Sequence, residues 1–143
     1  MAKTVRTMIT SAFELSPEEA EYLEPVMARL SDAARFKITL TYLLKRWVQV
    51  VETVEIGYED SIYEYTNDLG VRDLLEGVIN GCPPPLRVRL IDMLNDWDSR
   101  FLNATAQLPS SIAQRNGDSP GWWWYRVPLI LSLELQKDLQ ETL

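Results

Sequence analysis

The sequence predicts an all-α fold, a compact bundle of four or five helices, and three observations predict it. Apolar residues recur at steps of three and four over long stretches, capping residues stand where those stretches begin, and glycine or proline stands where they end. The 143 residues suit one domain, 1–143, long enough to bury roughly two thirds of its unfolded surface. Val5, Ile9, Phe13 and Leu15 alternate loosely with Thr7 and Ser11, which fits a short strand or extended arm. The bundle therefore has room for a minor two-stranded β element made from the N-terminal arm, residues 5–13, and part of the C-terminal tail, residues 127–135.

The first helix is announced by Ser16, Pro17 and Glu19, an N-cap, a first-turn proline and a capping glutamate in their expected order. Leu23, Val26, Met27 and Leu30 follow at helical spacing, and Pro25 is expected to kink or divide the segment because it has no N–H to donate. A second helix is expected from Ser31 or Asp32 to Ile56, stopped by Gly57. Its stripe, Phe36, Leu40, Leu43, Leu44, Trp47, Val50, Val51 and Val54, lies on one side and marks the central element. Two shorter helical pieces, 59–68 and 71–79, are expected on either side of Gly70. After Asn80-Gly81 and the stiff Cys82-Pro83-Pro84-Pro85 connection, a long helix runs to about Gln107. Leu86, Leu90, Met93, Leu94, Trp97 and Phe101 form its apolar face, and Trp47 and Trp97 are expected to be buried. Residues 108–121, rich in serine, glycine and proline, read as a loop before the aromatic-rich segment 122–143. In the tail, the alternation of Leu129, Leu131, Leu133 and Leu135 suits a strand. Ser132 as a cap and the strong helix formers of 136–141 favour a helix.

Composition narrows the function classes. With 46% hydrophobic and 24% charged residues the chain is globular in character. A net charge of -7 works against nucleic-acid backbones and anionic membranes, so neither is expected as a partner. The chain has no histidine, which removes His-based triads, the usual zinc ligands and the commonest general base. Cys82 is the sole cysteine, so no intrachain disulfide forms. The basic start is followed by an apolar stretch broken by Thr7, Thr10, Ser11 and Glu14, which does not make a signal peptide; a cytoplasmic location is expected.

Two constellations invite a functional role. The first is acidic: Glu52 and Glu55 are one helical turn apart, and Asp73 and Glu76 are three apart. Carboxylates on two facing helices are the ligands Mg2+ requires, with substrate phosphates completing its octahedron. Glu52-Thr53-Val54-Glu55 and Asp73-Leu74-Leu75-Glu76 resemble the paired acidic motifs of the all-helical nucleotide pyrophosphatases of the MazG type, the second with its acids exchanged. The resemblance covers residues 52–76. It implies that Glu52, Glu55, Asp73 and Glu76 hold Mg2+ against a diphosphate. Periodicity, by contrast, places Glu52 opposite the Trp47, Val50 and Val54 stripe, where a solvent face belongs.

The second constellation is Trp122-Trp123-Trp124-Tyr125-Arg126. Three consecutive tryptophans cannot all enter one core, because neighbouring side chains leave the backbone in widely different directions. Trp122 and Trp124 are expected inside. Trp123 is expected partly outside, forming with Tyr125 and Arg126 a partner-binding surface of the residue types that dominate interface hot spots. Together these features predict a non-enzymatic protein-interaction module of regulatory, adaptor or immunity type, with an acidic surface and no cofactor. The alternatives are the Mg2+-dependent pyrophosphatase and a structural homo-oligomer.

Overall fold

The computed structural model describes residues 14–113 and 120–142. Five α-helices and one small antiparallel sheet account for most of them, in the order α1 (Pro17–Ala34), α2 (Leu40–Ile56), α3 (Ile62–Gly81), α4 (Pro84–Asn103), β1 (Thr105–Gln107), a 3-10 helix (Trp122–Tyr125), β2 (Arg126–Pro128) and α5 (Leu133–Thr142). The predicted helical bundle is the observed fold.

The start of α1 is fixed by the predicted capping box. The Ser16 amide donates to Glu19 Oε1 at 2.9 Å and the Glu19 amide to Ser16 Oγ at 3.2 Å, with Pro17 in the first turn. The helix is not divided at Pro25. Pro25 and Glu21 both lie on the exposed side, so the carbonyl that loses its donor can be hydrated. The expected helix start at Ser31 is also corrected. Ser31 belongs to the last stretch of α1, its hydroxyl donating to Met27 O and accepting from the Ile38 amide at 2.8 Å. Arg35, at φ 63°, ends the helix in the left-handed region. Thr39 then caps α2, accepting from the Tyr42 amide at 3.1 Å. Phe36 therefore sits in the connection, 50% exposed and edge-on to Tyr42, and not in the central stripe.

From Leu40 onward the α2 stripe is buried as predicted, and the helix packs against both α3 and α4. Trp47 and Trp97 are both buried, and the buried residues form one continuous core. The two pieces expected around Gly70 are a single helix, α3. A mid-helix glycine costs only about 1 kcal/mol relative to alanine, and the burial of Tyr65, Leu69, Leu75 and Val78 on either side outweighs that.

Helix α4 ends four residues earlier than predicted. Thr105 folds its hydroxyl back onto Phe101 O at 2.8 Å, and residues 105–107 pair antiparallel with 126–128. A minor two-stranded element is thus present, but Thr105–Gln107 is the partner of the tail strand; the N-terminal arm, 5–13, lies outside the described residues. Of the tail's two readings the helix is observed, with Ser132 Oγ accepting from the Leu135 amide at 3.0 Å. Among the described residues no helix is long and apolar enough to cross a membrane.

Candidate functional site

The aromatic segment is wound into the 3-10 helix, and this reverses the expected orientation of its first two tryptophans. Trp123 is 3% exposed and Trp124 6%, whereas Trp122 is 37% exposed. The indole N–H groups of Trp123 and Trp124 both donate to Asp73 Oδ1 on α3, at 2.9 and 2.8 Å. Trp123 also lies beneath the Arg72 guanidinium, 4.7 Å from its ring centroid, and folds back over Gly121, where a side chain would collide with it. The exposed-anchor expectation for Trp123 is therefore overturned. Carboxylate acceptors on the facing helix make the interior available to indole N–H groups that otherwise need water.

Arg126 is likewise occupied by the fold. Its guanidinium donates to Thr105 Oγ1, Gln107 Oε1 and the carbonyls of Leu102 and Thr105, closing the end of α4. Its own carbonyl accepts from Tyr65 Oη at 2.7 Å. Tyr125 is half-buried, and its carbonyl accepts from the Leu108 amide. These three residues secure the tail to the bundle.

Arg72 is the buried charge that sequence reading missed. It donates to Asp98 through Nε and Nη2 at 3.2 and 2.9 Å and to Glu76 at 2.9 Å, while Asp98 also accepts from Trp47 Nε1 at 2.9 Å. Burial opposes its charge, but Asp98 first and then Glu76 outweigh that and hold its pKa above the ordinary arginine value. A signal existed: Arg72 falls on the same face of α3 as Tyr65, Leu69 and Ile79, all buried.

The four carboxylates of the Mg2+ reading do not come together. Glu55 forms a two-pronged ion pair with Arg100, whose hydrogen bond holds the Glu55 pKa below the usual carboxylate value. Glu52 is exposed, Glu76 is taken by Arg72, and Asp73 holds the two indoles. Among the described residues no group of three or more acidic, histidine or cysteine side chains is placed to hold a metal ion. The arrangement fails the condition that reading sets, four carboxylates within one ion's reach.

The structure brings together a surface that sequence reading did not single out. Tyr58, just beyond α2, forms a parallel bridge with Leu131: its amide donates to Ile130 O at 2.8 Å, and the Ser132 amide donates to Tyr58 O at 2.8 Å. Gly57, which follows the last residue of α2, Ile56, lies against Ile130. A Cβ on Gly57 would stand 3.0 Å from Ile130 Cγ2, and Gly57 has φ 143°, a conformation L side chains rarely adopt. Exposed aliphatic side chains thus stand on both sides of the bridge, with Ile56 82% exposed, Leu129 59% and Ile130 57%, and this region is called the ledge below. Leu129 and Ile130 also wall a cleft of about 300 Å³ closed by the Glu55–Arg100 pair. Gly57 also borders a polar recess of about 400 Å³ lined by Glu59, Asp60, Glu64, Asp68 and Arg46.

Comparison with protein families, with characterised proteins and with solved structures finds no match to this chain.

Proposed function

We propose that the protein is a non-enzymatic protein-interaction module, of regulatory, adaptor or immunity type, that docks a partner on the ledge formed by Ile56, Leu129 and Ile130. One observation carries this reading: three branched aliphatic side chains from two distant stretches of sequence are exposed on either side of the backbone bridge between Tyr58 and Leu131. Scattered exposed aliphatics are ordinary, but a contiguous cluster of them is a common mark of a contact surface. The residue types that usually anchor interfaces, Trp123 and Arg126, are spent on the chain's own packing. The docking role passes from them to the ledge.

The test is comparative affinity capture from an extract of the protein's own cells, using wild type, Ile56→Ser/Ile130→Ser and Trp122→Ala, each first shown to be folded by circular dichroism. A partner retained by wild type and Trp122→Ala, and lost by the ledge variant, is the expected result. Identical capture by all three proteins would sink the proposal.

A further inference from the structure

The ledge and the acidic recess share Gly57, and the recess tells what the partner must carry. Within it, Asp68 is already satisfied, by Arg46 at 2.7 Å on Oδ1 and by the Tyr58 hydroxyl at 2.7 Å on Oδ2. Glu59, Asp60 and Glu64 are exposed, and among the described residues none of them is in an ion pair. From Trp47 to Val71 the chain has six acidic residues and no lysine or arginine. Glu55 is paired with Arg100 and Asp68 with Arg46, which also borders the recess, so Glu52, Glu59, Asp60 and Glu64 carry the field. The Tyr58 hydroxyl senses it, its pKa raised by burial first, then by Asp68 and by the charges of Asp60 and Glu64.

Resting on the interaction reading above, we propose that the ledge is occupied by a segment of a different protein that presents a lysine or arginine beside aliphatic side chains. The aliphatic residues cover Ile56, Leu129 and Ile130, and the cation enters the recess among Glu59, Asp60 and Glu64. Charge complementarity selects this occupant. A second copy of the chain would bring the same carboxylates and the same net charge of -7 to the contact, so like charge would oppose like. A neutral apolar segment would shield the carboxylates from water and give them no counter-charge, which is costly. A basic neighbour to the aliphatic contact avoids both penalties. The aliphatic area supplies affinity, and the charges supply specificity and speed of association.

The experiment is a random peptide library displayed on phage and panned against the full chain. Peptides that emerge are synthesised and titrated against wild type, against Ile130→Ser, and against Glu59→Gln/Asp60→Asn/Glu64→Gln, with melting curves confirming that each variant folds. The expected peptides carry lysine or arginine next to aliphatic residues, lose affinity in added salt, and bind the charge variant at least about tenfold more weakly, a difference of about 1.4 kcal/mol. Peptides without basic residues that still depend on Ile130 would overturn the basic-partner proposal and leave the docking ledge standing. Light scattering that finds a dimer dissolved by Ile130→Ser would overturn it in favour of a second copy. An absence of enriched peptides, or peptides indifferent to Ile130, would overturn both.

Discussion

Trp123 and Ile130 lie seven residues apart in one short tail, yet one is buried against charged groups and the other faces water. Trp123 has an acceptor waiting on α3, Asp73, and a cation above its ring, Arg72, so its polar edge and its π face are both served inside. Ile130 offers nothing polar from its side chain, and its backbone is engaged by the Tyr58 amide. The bridge thus fixes Ile130 on the surface whatever its hydrophobicity. The contrast teaches that side-chain chemistry alone does not decide which residues a small domain keeps for itself. A neighbour that satisfies the polar atoms can bury a tryptophan, and a backbone tether can hold an isoleucine outside.

The largest expected effect of breaking the buried side of this comparison is at Asp98. Asp98→Ala leaves the Arg72 guanidinium, 6% exposed, without its main counter-charge and Trp47 without its acceptor. Loss of one member of a buried pair costs about 3–5 kcal/mol, which thermal or urea unfolding will register; a loss below about 1 kcal/mol would contradict the role given to this network. Asp73→Ala should come next, costing about 1–3 kcal/mol for each indole N–H left without its acceptor. Asp73→Asn, which keeps an oxygen acceptor, should lose less, and equal losses would show that hydrogen bonding is not the reason Asp73 matters.

A smaller effect is expected in acid. Backbone donation from Ser16, then Arg89, lowers the Glu19 pKa, and Arg100 lowers that of Glu55. Both folded values lie below the unfolded one, so their contribution is complete above about pH 4.3 and is lost as pH falls through the folded values. Because the Glu55 and Arg100 side chains are 32% and 44% exposed, solvent screening limits that pair to at most about 1 kcal/mol. Melting temperature should hold from neutrality to about pH 5 and then fall. The acid fall should be shallower in Glu19→Gln, and an unchanged profile would remove Glu19 from the account.

What the sequence made legible follows the same division. Local chemistry was readable: the Ser16–Glu19 capping box, the α2 stripe and the Ser132 cap all stand where the residues put them. Long-range pairing was not. Nothing in Thr105–Gln107 alone says that it will leave α4 to join residues 126–128, because its partner strand and the Arg126 guanidinium that meets the Thr105 carbonyl come from the distant tail. Likewise the steric argument that three adjacent tryptophans must diverge was sound. Which one stays outside depended on a tight 3-10 turn and on Asp73, fifty residues earlier. The ledge was hidden for the same reason, since the segment after α2 meets the tail through the long-range Tyr58–Leu131 bridge.

The claim that the tryptophan seam holds the fold while the ledge is kept for a partner is tested most directly by comparing the unfolding free energies of two variants, measured side by side on the full chain. Trp123→Ala should lose about 3–5 kcal/mol, the usual cost of deleting a buried large aromatic. Ile56→Ser/Ile130→Ser should stay within about 1 kcal/mol of wild type, as exposed positions do. A ledge variant that unfolds as readily as Trp123→Ala would contradict the account, because those aliphatic side chains would then be stabilising the bundle itself.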